Sequence, residues 1–405
     1  MKVLLLTNVP SPYNLPAFRQ VHQDAGWSLT VCYASSENKD VGWRADRLKH
    51  QGGYESLVLD VKRPRLKRVL GASIAAALAL RERLNQWKPE YVIVYGYSRI
   101  PQLTAIAWSI GTATPFAVLG DSNIYADCAR GIKRSAKRRW LRYLVHKAAA
   151  IMVVGTANRR FWESYGAPAC KLFDVPFAVD NEHFARTQTE RSSEATALSR
   201  RMGIAGKTIF IYVGRLIQSK NVDLLIRAGM QLSDANVGVL IIGEGPERRV
   251  LETLARGASN IVFLGQVANK DLPSYYALAH ALVLPSSREP WGLVVNEAMA
   301  AGLAIIAHRH CGAVVDLVNA ENGALLESFS VEELAAAMLS IAGSQERRQQ
   351  MQMRSLQKIG QWSIEAFAHG IVRAVQSTAM QPKSPSFGQS QGWAAPEGTD
   401  IRAGK

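Results

Sequence analysis

Short apolar runs alternate with longer amphipathic segments along the first half of the chain. Five continuous runs predict buried parallel strands, at residues 3–6, 29–32, 91–94, 116–119 and 151–154. Helix-like segments, such as residues 72–86 and 133–147, lie between several of these runs. The alternation of strand and helix predicts an α/β domain with a doubly wound parallel sheet.

The alternation of predicted strands and helices weakens near residue 176 and begins again near residue 207. Five further runs predict a second set of strands, at residues 209–213, 237–242, 261–264, 281–284 and 304–307. Each is followed by a helical candidate, for example at residues 222–232. We therefore expect a Rossmann-like domain at 1–180, a linker at 181–205 and a second Rossmann-like domain at 206–358.

Two segments follow the second domain. Residues 331–357 and 362–376 have helix-forming compositions, and we expect a helix at 359–379 that crosses back to the N-terminal domain. From residue 380 the composition shifts to Pro, Ser, Gly and Gln, which predicts a disordered tail at 380–405.

Composition narrows the class of protein. The hydrophobic share of 48% and the charged share of 20% are those of a soluble globular protein. The four cysteines form no CxxC pair, which argues against a disulfide framework and a structural zinc site. The first apolar run, at residues 3–6, is too short for a signal peptide, and we expect no transmembrane helix.

The positive charge is concentrated in the first half of the chain. The net charge is +15, and residues 1–180 hold 26 Lys and Arg against 13 Asp and Glu. Two basic runs stand out, at residues 62–68 and 130–142. In the second, cations interleave with apolar residues, namely Ile132, Trp140, Leu141, Leu144 and Val145. This pattern favours a helix at an anionic lipid surface, and the alternative is a solvated helix packed on its own core.

Two loops that follow predicted strands suit an anionic ligand. Gly214 ends the strand at 209–213, and Arg215 and Lys220 follow it, which suits a diphosphate. Gly243 and Gly245 follow the strand at 237–242 and permit close backbone approach to a ligand. Ordinary surface cations and structurally required glycines are the alternative explanations.

The strongest motif is residues 286–297, SSREPWGLVVNE. It follows the strand at 281–284, and Gly292 precedes an apolar helix whose first backbone N–H groups predict an anion site. Glu289 lies before this helix and Glu297 lies within it. Beside a phosphate site, carboxylates are better suited to accept hydrogen bonds from hydroxyls.

Taken together, these motifs resemble the glycosyltransferases of family 4, which are retaining enzymes of the GT-B fold with an E-x7-E signature. Seven residues separate Glu289 from Glu297, and the Gly-Arg…Lys pair and the glycine turn have the family's order and spacing. The resemblance covers residues 205–325 well and the N-terminal half loosely. It implies two Rossmann-like doubly wound domains that face a central cleft, with the acceptor bound by the N-terminal domain.

The same resemblance assigns roles to individual residues. It implies that Arg215 and Lys220 bind the donor diphosphate, that Glu289 holds hydroxyls of the transferred sugar and that Glu297 holds the ribose. It completes the donor site with Gly214, Gly243, Gly245, Val267, Gly292, Leu293 and Val294.

Two departures from the family concern the N-terminal domain. A stiff stretch, residues 10–16 (PSPYNLP), stands where family members often carry a Gly-Gly loop that closes over the donor. Asp121 follows the strand at 116–119, where many members carry a histidine. Asp121 takes that place and touches the transferred sugar, or it is a turn-forming aspartate.

We therefore predict a retaining hexosyltransferase that uses a nucleoside-diphosphate sugar and an oligosaccharide or lipid-linked acceptor of a surface glycan. We expect no metal and no other cofactor, because Arg and Lys handle the diphosphate in the family, and no nucleic acid as a partner. The expected location is cytoplasmic, peripheral on the inner face of the membrane. The alternatives are a GT-B-fold sugar-nucleotide epimerase and a non-catalytic protein that binds anionic lipid.

Overall fold

The computed structural model describes residues 1–35, 37–38, 43–44, 53–59, 71–125, 131–185 and 192–379. The first basic run, at 62–68, and the predicted tail, at 380–405, lie outside these residues. Within them the chain forms two parallel sheets with helices on both faces, and a small antiparallel pair of strands. The prediction of two doubly wound α/β domains is confirmed.

The first sheet has the strand order β5-β2-β1-β6-β7-β8-β9. Its strands are β1 (Lys2–Thr7), β2 (Ser28–Tyr33), β5 (Glu55–Val58), β6 (Tyr91–Tyr95), β7 (Phe116–Gly120), β8 (Ala150–Val153) and β9 (Leu172–Asp174), while β3 (Glu37–Asn38) and β4 (Trp43–Arg44) form the antiparallel pair. The helices of this part are α1 (Asn14–Ala25), α2 (Ala72–Trp87), α3 (Ile100–Gly111), α4 (Gly131–Lys147) and α5 (Thr156–Ser164).

The second sheet has the order β12-β11-β10-β13-β14-β15. Its strands are β10 (Thr208–Val213), β11 (Val237–Ile242), β12 (Ile261–Gly265), β13 (Ala281–Leu284), β14 (Ala304–His308) and β15 (Gly323–Leu326). The remaining helices are α6 (Asn181–Ala185), α7 (Ser192–Arg201), α8 (Val222–Gln231), α9 (Arg248–Leu254), α10 (Leu272–Tyr276), α11 (Leu293–Ala300), α12 (Val314–Leu317), α13 (Val331–Ala342), α14 (Gln345–Ile359) and α15 (Ile364–Ala379).

The central strands are almost entirely apolar because both of their faces are covered by helices. All six residues of β10 and of β11 are buried. The predicted helical stretch at 331–357 forms two helices, since the hydroxyl of Ser344 caps the second by accepting the amide of Arg347 at 3.2 Å.

The chain crosses between the two domains at residues 175–185 and again at 359–364. The side-chain amide of Asn181 joins the crossings by donating to the carbonyls of Ile359 and Trp362, at 3.3 Å each. Helix α15 then packs on α1, and Thr378 shares a 2.7 Å hydrogen bond with the hydroxyl of Tyr91. The C-terminal helix is therefore part of the N-terminal domain.

None of the helices in the described part of the chain combines the length and the apolar composition that crossing a bilayer requires.

Candidate functional site

The loops after β10 and β13 meet because these two strands are neighbours in the sheet. The amide of Ser287 donates to the carbonyl of Ser219 at 2.9 Å, and the side chain of Asn221 donates to the carbonyl of Pro285 at 3.0 Å. These two hydrogen bonds hold the two predicted motifs, Arg215–Lys220 and Glu289–Glu297, side by side at the carboxyl edge of the sheet.

With the two loops held in this way, the ammonium of Lys220 lies against the carboxylate of Glu289, and the two form an ion pair. Both side chains are largely shielded, with 13% and 14% of their surface exposed. Arg215, by contrast, is exposed at the rim, where its carbonyl accepts a hydrogen bond from the hydroxyl of Tyr212 at 2.9 Å. The structure thus brings Lys220 and Glu289 together and leaves Arg215 accessible from solvent.

Gly243 and Gly245 are required by the packing of two loops. A Cβ at Gly243 would lie 1.8 Å from the carbonyl oxygen of Gly214, and one at Gly245 would lie 2.2 Å from that of Leu216. The amide of Leu216 donates to the carbonyl of Glu244 at 2.8 Å, so a backbone hydrogen bond joins the two loops. These glycines are therefore explained by the fold, whatever ligand they also approach. Val267, half-buried just after β12, lies at the same edge of the sheet.

Gly292 lets the chain turn into helix α11. Its φ of 98° is a left-handed conformation, and an added Cβ would lie 2.9 Å from Sγ of Cys311 and 3.0 Å from Cγ of Glu289. Leu293 and Val294 are the first residues of α11, so their amides have no acceptor one turn back in the helix. The predicted anion site is thus a helix N-terminus next to the Lys220–Glu289 pair.

Glu297 is fully buried, which sequence reasoning did not predict. The hydroxyl of Tyr276 donates to its Oε2 at 2.6 Å, and the hydroxyl of Tyr13 also forms a hydrogen bond with this carboxylate. Burial raises the pKa of Glu297 to about 7, although the two tyrosine hydrogen bonds act in the opposite direction.

Tyr13 belongs to the proline-rich stretch, residues 10–16, of the N-terminal domain. Its hydroxyl accepts a hydrogen bond from the side chain of Asn269 at 3.4 Å, so it reaches across the cleft to the other domain. The amide of Tyr13 donates to the hydroxyl of Ser11 at 3.2 Å, and α1 begins at the next residue. The stiff loop therefore places a phenol against the carboxylate that the family resemblance assigns to the ribose.

Asp121 is half-buried and directly follows β7. Burial raises its pKa, a hydrogen bond from its own backbone opposes the change, and the negative charge of Glu289 raises it further. Asn123, two residues further along this loop, donates its side-chain amide to the carbonyl of Glu289 at 3.0 Å. The structure therefore brings the loop that carries Asp121 to the segment that carries Glu289.

The two domains also contact each other through Asp316 and Thr156, near the motif around Glu289. The carboxylate of Asp316 accepts the amide of Thr156 at 2.9 Å and its hydroxyl at 2.5 Å, which supplies a cap to helix α5 from the other domain. Trp291 is buried below this contact, and a Cβ at Gly155 would lie 2.5 Å from its ring. The motif around Glu289 is thus held from both sides.

Among the described residues, no group of three or more His, Cys, Asp or Glu side chains is arranged to hold a metal ion.

Known proteins are similar to this chain in sequence or in fold. Residues 196–357 match the family model described as glycosyl transferases group 1. Residues 196–357 are therefore similar to this family of glycosyl transferases. The match agrees with the predicted resemblance to family 4 glycosyltransferases and with the prediction of a transferase enzyme.

Curated relatives of this chain include two transferases. The GDP-mannose-dependent alpha-(1-6)-phosphatidylinositol monomannoside mannosyltransferase of Mycolicibacterium smegmatis is 26% identical over 254 residues, covering 56% of this chain and 65% of that protein. The alpha-D-kanosaminyltransferase of Streptomyces kanamyceticus is 29% identical over 217 residues, covering 52% and 55%. The chain thus spans less than two thirds of the length of either relative.

The similarity in fold extends beyond residues 196–357. The crystal structure of Anabaena HepE in complex with UDP and glucose superimposes with a TM-score of 0.70 at 17% identity, covering 93% of this chain and all of that one. The predicted GT-B fold, with two Rossmann-like domains facing a cleft, is confirmed.

Proposed function

We propose that this protein is a retaining transferase that moves a hexose-type sugar from a nucleoside-diphosphate sugar to a surface-glycan acceptor. The observation that carries the proposal is the Lys220–Glu289 pair beside the N-terminus of α11. A cation and helix amides suit a diphosphate, and the neighbouring carboxylate suits sugar hydroxyls. The complex of Anabaena HepE with UDP and glucose is consistent with such a donor.

In this proposal Lys220 and Arg215 stabilise the charge that grows on the leaving diphosphate, without a divalent ion. Glu289 exchanges part of its contact with Lys220 for hydroxyls of the transferred sugar, and Asp121 approaches that sugar from the other wall. Glu297 binds the ribose only after Tyr13 withdraws, because the carboxylate is otherwise fully enclosed. Gly214, Gly243, Gly245 and Val267 line the nucleotide.

The proposed acceptor is lipid-linked, and helix α4 is the proposed contact with an anionic membrane face. Residues 131–147 contain no Asp or Glu, and cations such as Arg138 and Arg142 are exposed. Ile132 is 90% exposed and Tyr143 is 43% exposed. The prediction that Leu141, Leu144 and Val145 contact lipid is wrong. These three side chains are buried in the core of the N-terminal domain.

A thermal-shift screen of UDP-, GDP- and ADP-sugars tests the donor, since a ligand that binds the folded state raises the unfolding midpoint. Lys220→Ala and Glu289→Ala should each reduce transfer from that donor by about 100-fold or more. Lys270→Ala, which removes an exposed cation of the same domain, is the matched control. Undiminished transfer by both site variants would show that the donor binds elsewhere.

Two other functions give different results in the same assays. A sugar-nucleotide epimerase would convert the donor without an acceptor and without releasing nucleoside diphosphate. A non-catalytic lipid-binding protein would bind anionic vesicles and leave every sugar nucleotide unchanged.

A further inference from the structure

The loop after β7 makes a direct contact with the motif around Glu289. Asn123 lies on this loop, two residues beyond Asp121, and its side chain is 1% exposed. Its Nδ2 donates to the carbonyl of Glu289 at 3.0 Å and to the carbonyl of Pro290 at 2.7 Å. Since a primary amide has two N–H bonds, both are used on consecutive carbonyls of the other domain.

The side chain of Asn123 is oriented by its own domain. Its Oδ1 accepts the amide of Tyr125 at 2.9 Å, which fixes the amide plane. The preceding residue, Ser122, accepts the side chain of Asn158 on its carbonyl at 2.5 Å and shares a 2.6 Å hydrogen bond with the hydroxyl of Tyr97. The loop thus presents a fixed pair of donors to the cleft.

The receiving side is shaped for this amide. Gly312 donates its backbone amide to the carbonyl of Glu289 at 3.0 Å. A Cβ at Gly312 would lie 2.0 Å from the carbonyl oxygen of Pro290 and 2.9 Å from Nδ2 of Asn123. Any larger residue there would push the amide away from its two acceptors.

We propose that Asn123 is a positioning residue, which couples the docking of the two domains to the conformation of the segment 289–291. With both carbonyls held towards the N-terminal domain, the side chain of Glu289 is directed at Lys220, and the loop that carries Asp121 is held against the same segment. The catalytic consequence rests on the proposed transferase function. The structural coupling itself does not depend on it.

Hydrogen exchange measures this coupling without any substrate. In Asn123→Ala, amide exchange in a peptide covering 286–293 and at Gly312 should become about tenfold faster, because two hydrogen bonds that fix this segment are lost. Asn123→Asp keeps the shape and Oδ1 but loses both donors, and it should behave like the alanine variant. Asn181→Ala is the matched control, since this side-chain amide also donates to two carbonyls, but at the crossings between the domains.

Kinetics separate positioning from general damage. The probe is the UDP-, GDP- or ADP-sugar that most stabilises the wild type, and release of the nucleoside diphosphate to water is measured. Asn123→Ala should lower kcat by about 10- to 100-fold, because small displacements of a sugar-binding carboxylate are costly. The affinity for the free nucleoside diphosphate should change by less than about twofold, since the carbonyls that Asn123 holds belong to the segment that carries the sugar-binding Glu289.

Unchanged exchange at 286–293 in both Asn123 variants would overturn the proposal, as would an equal change in Asn181→Ala. A loss of nucleotide affinity that matches the loss of kcat would also overturn it. If no sugar nucleotide stabilises the wild type, the proposed transferase function fails, and the exchange experiment still decides the role of Asn123.

Discussion

Replacing Glu297 with glutamine should change how the stability of the protein depends on pH. Burial raises the pKa of this carboxyl from its ordinary value of 4.5 to about 7. The folded protein therefore holds a proton to a higher pH than the unfolded chain does. Stability from this group is complete below pH 4.5 and is lost as the pH rises to about 7. The difference between the two values corresponds to about 3 kcal/mol.

The glutamine variant keeps the shape of the side chain and cannot ionise. Chemical denaturation of both proteins at pH 4.5 and pH 8 should show the variant gaining about 3 kcal/mol of unfolding free energy relative to wild type at the higher pH. Glu163→Gln, on the exposed face of α5, should show little such gain because its carboxyl stays in water. A difference between Glu297→Gln and wild type that is the same at both pH values would refute the reasoning.

Tyr13→Phe should bind the nucleoside diphosphate about fivefold more tightly by calorimetry, because the ribose no longer has to displace a hydroxyl from Glu297. Reversing two exposed charges in Arg138→Glu with Arg142→Glu should weaken sedimentation with anionic vesicles by at least about tenfold. Asp316→Ala should lower the unfolding free energy by about 1–2 kcal/mol, measured by denaturant titration, because α5 loses its cap.

Each of these results has a contrary outcome. Weaker nucleotide binding by Tyr13→Phe would mean that the phenol contacts the nucleotide. Arg249→Glu with Arg256→Glu makes the same change of charge on the C-terminal domain, and equal loss of vesicle binding there would exclude a specific role for α4. Asp316→Asn retains an acceptor, so a stability loss equal to that of the alanine variant would argue against the cap.

Apolar runs predict the central strands correctly because both faces of these strands are covered. Of the edge strands in the two large sheets, β12 is predicted, whereas β5, β9 and β15 are missed, since each of these three is short and partly exposed. Their pairing depends on the neighbouring strand rather than on a local pattern. Sequence patterns therefore predict the interior of each sheet better than its borders.

Only part of the candidate site can be predicted from the sequence. Lys220 and Glu289 are predictable because both follow strands, and the order of those strands brings the loops together. The contact of Tyr13 with Glu297 and that of Asn123 with Glu289 join different domains across more than 160 residues. Such contacts depend on how the two domains dock, and the spacing of motifs in the sequence does not predict that docking.

Asp316 belongs to one domain and completes a helix of the other. Moving the domains apart would leave the amide of Thr156 without its acceptor, and water would have to take the place of the carboxylate at the start of α5. Separation of the two domains therefore carries a local free-energy cost of about 1 kcal/mol at this contact. The start of α5 therefore resists separation of the two domains, and the strength of this resistance depends on a single side chain, that of Asp316.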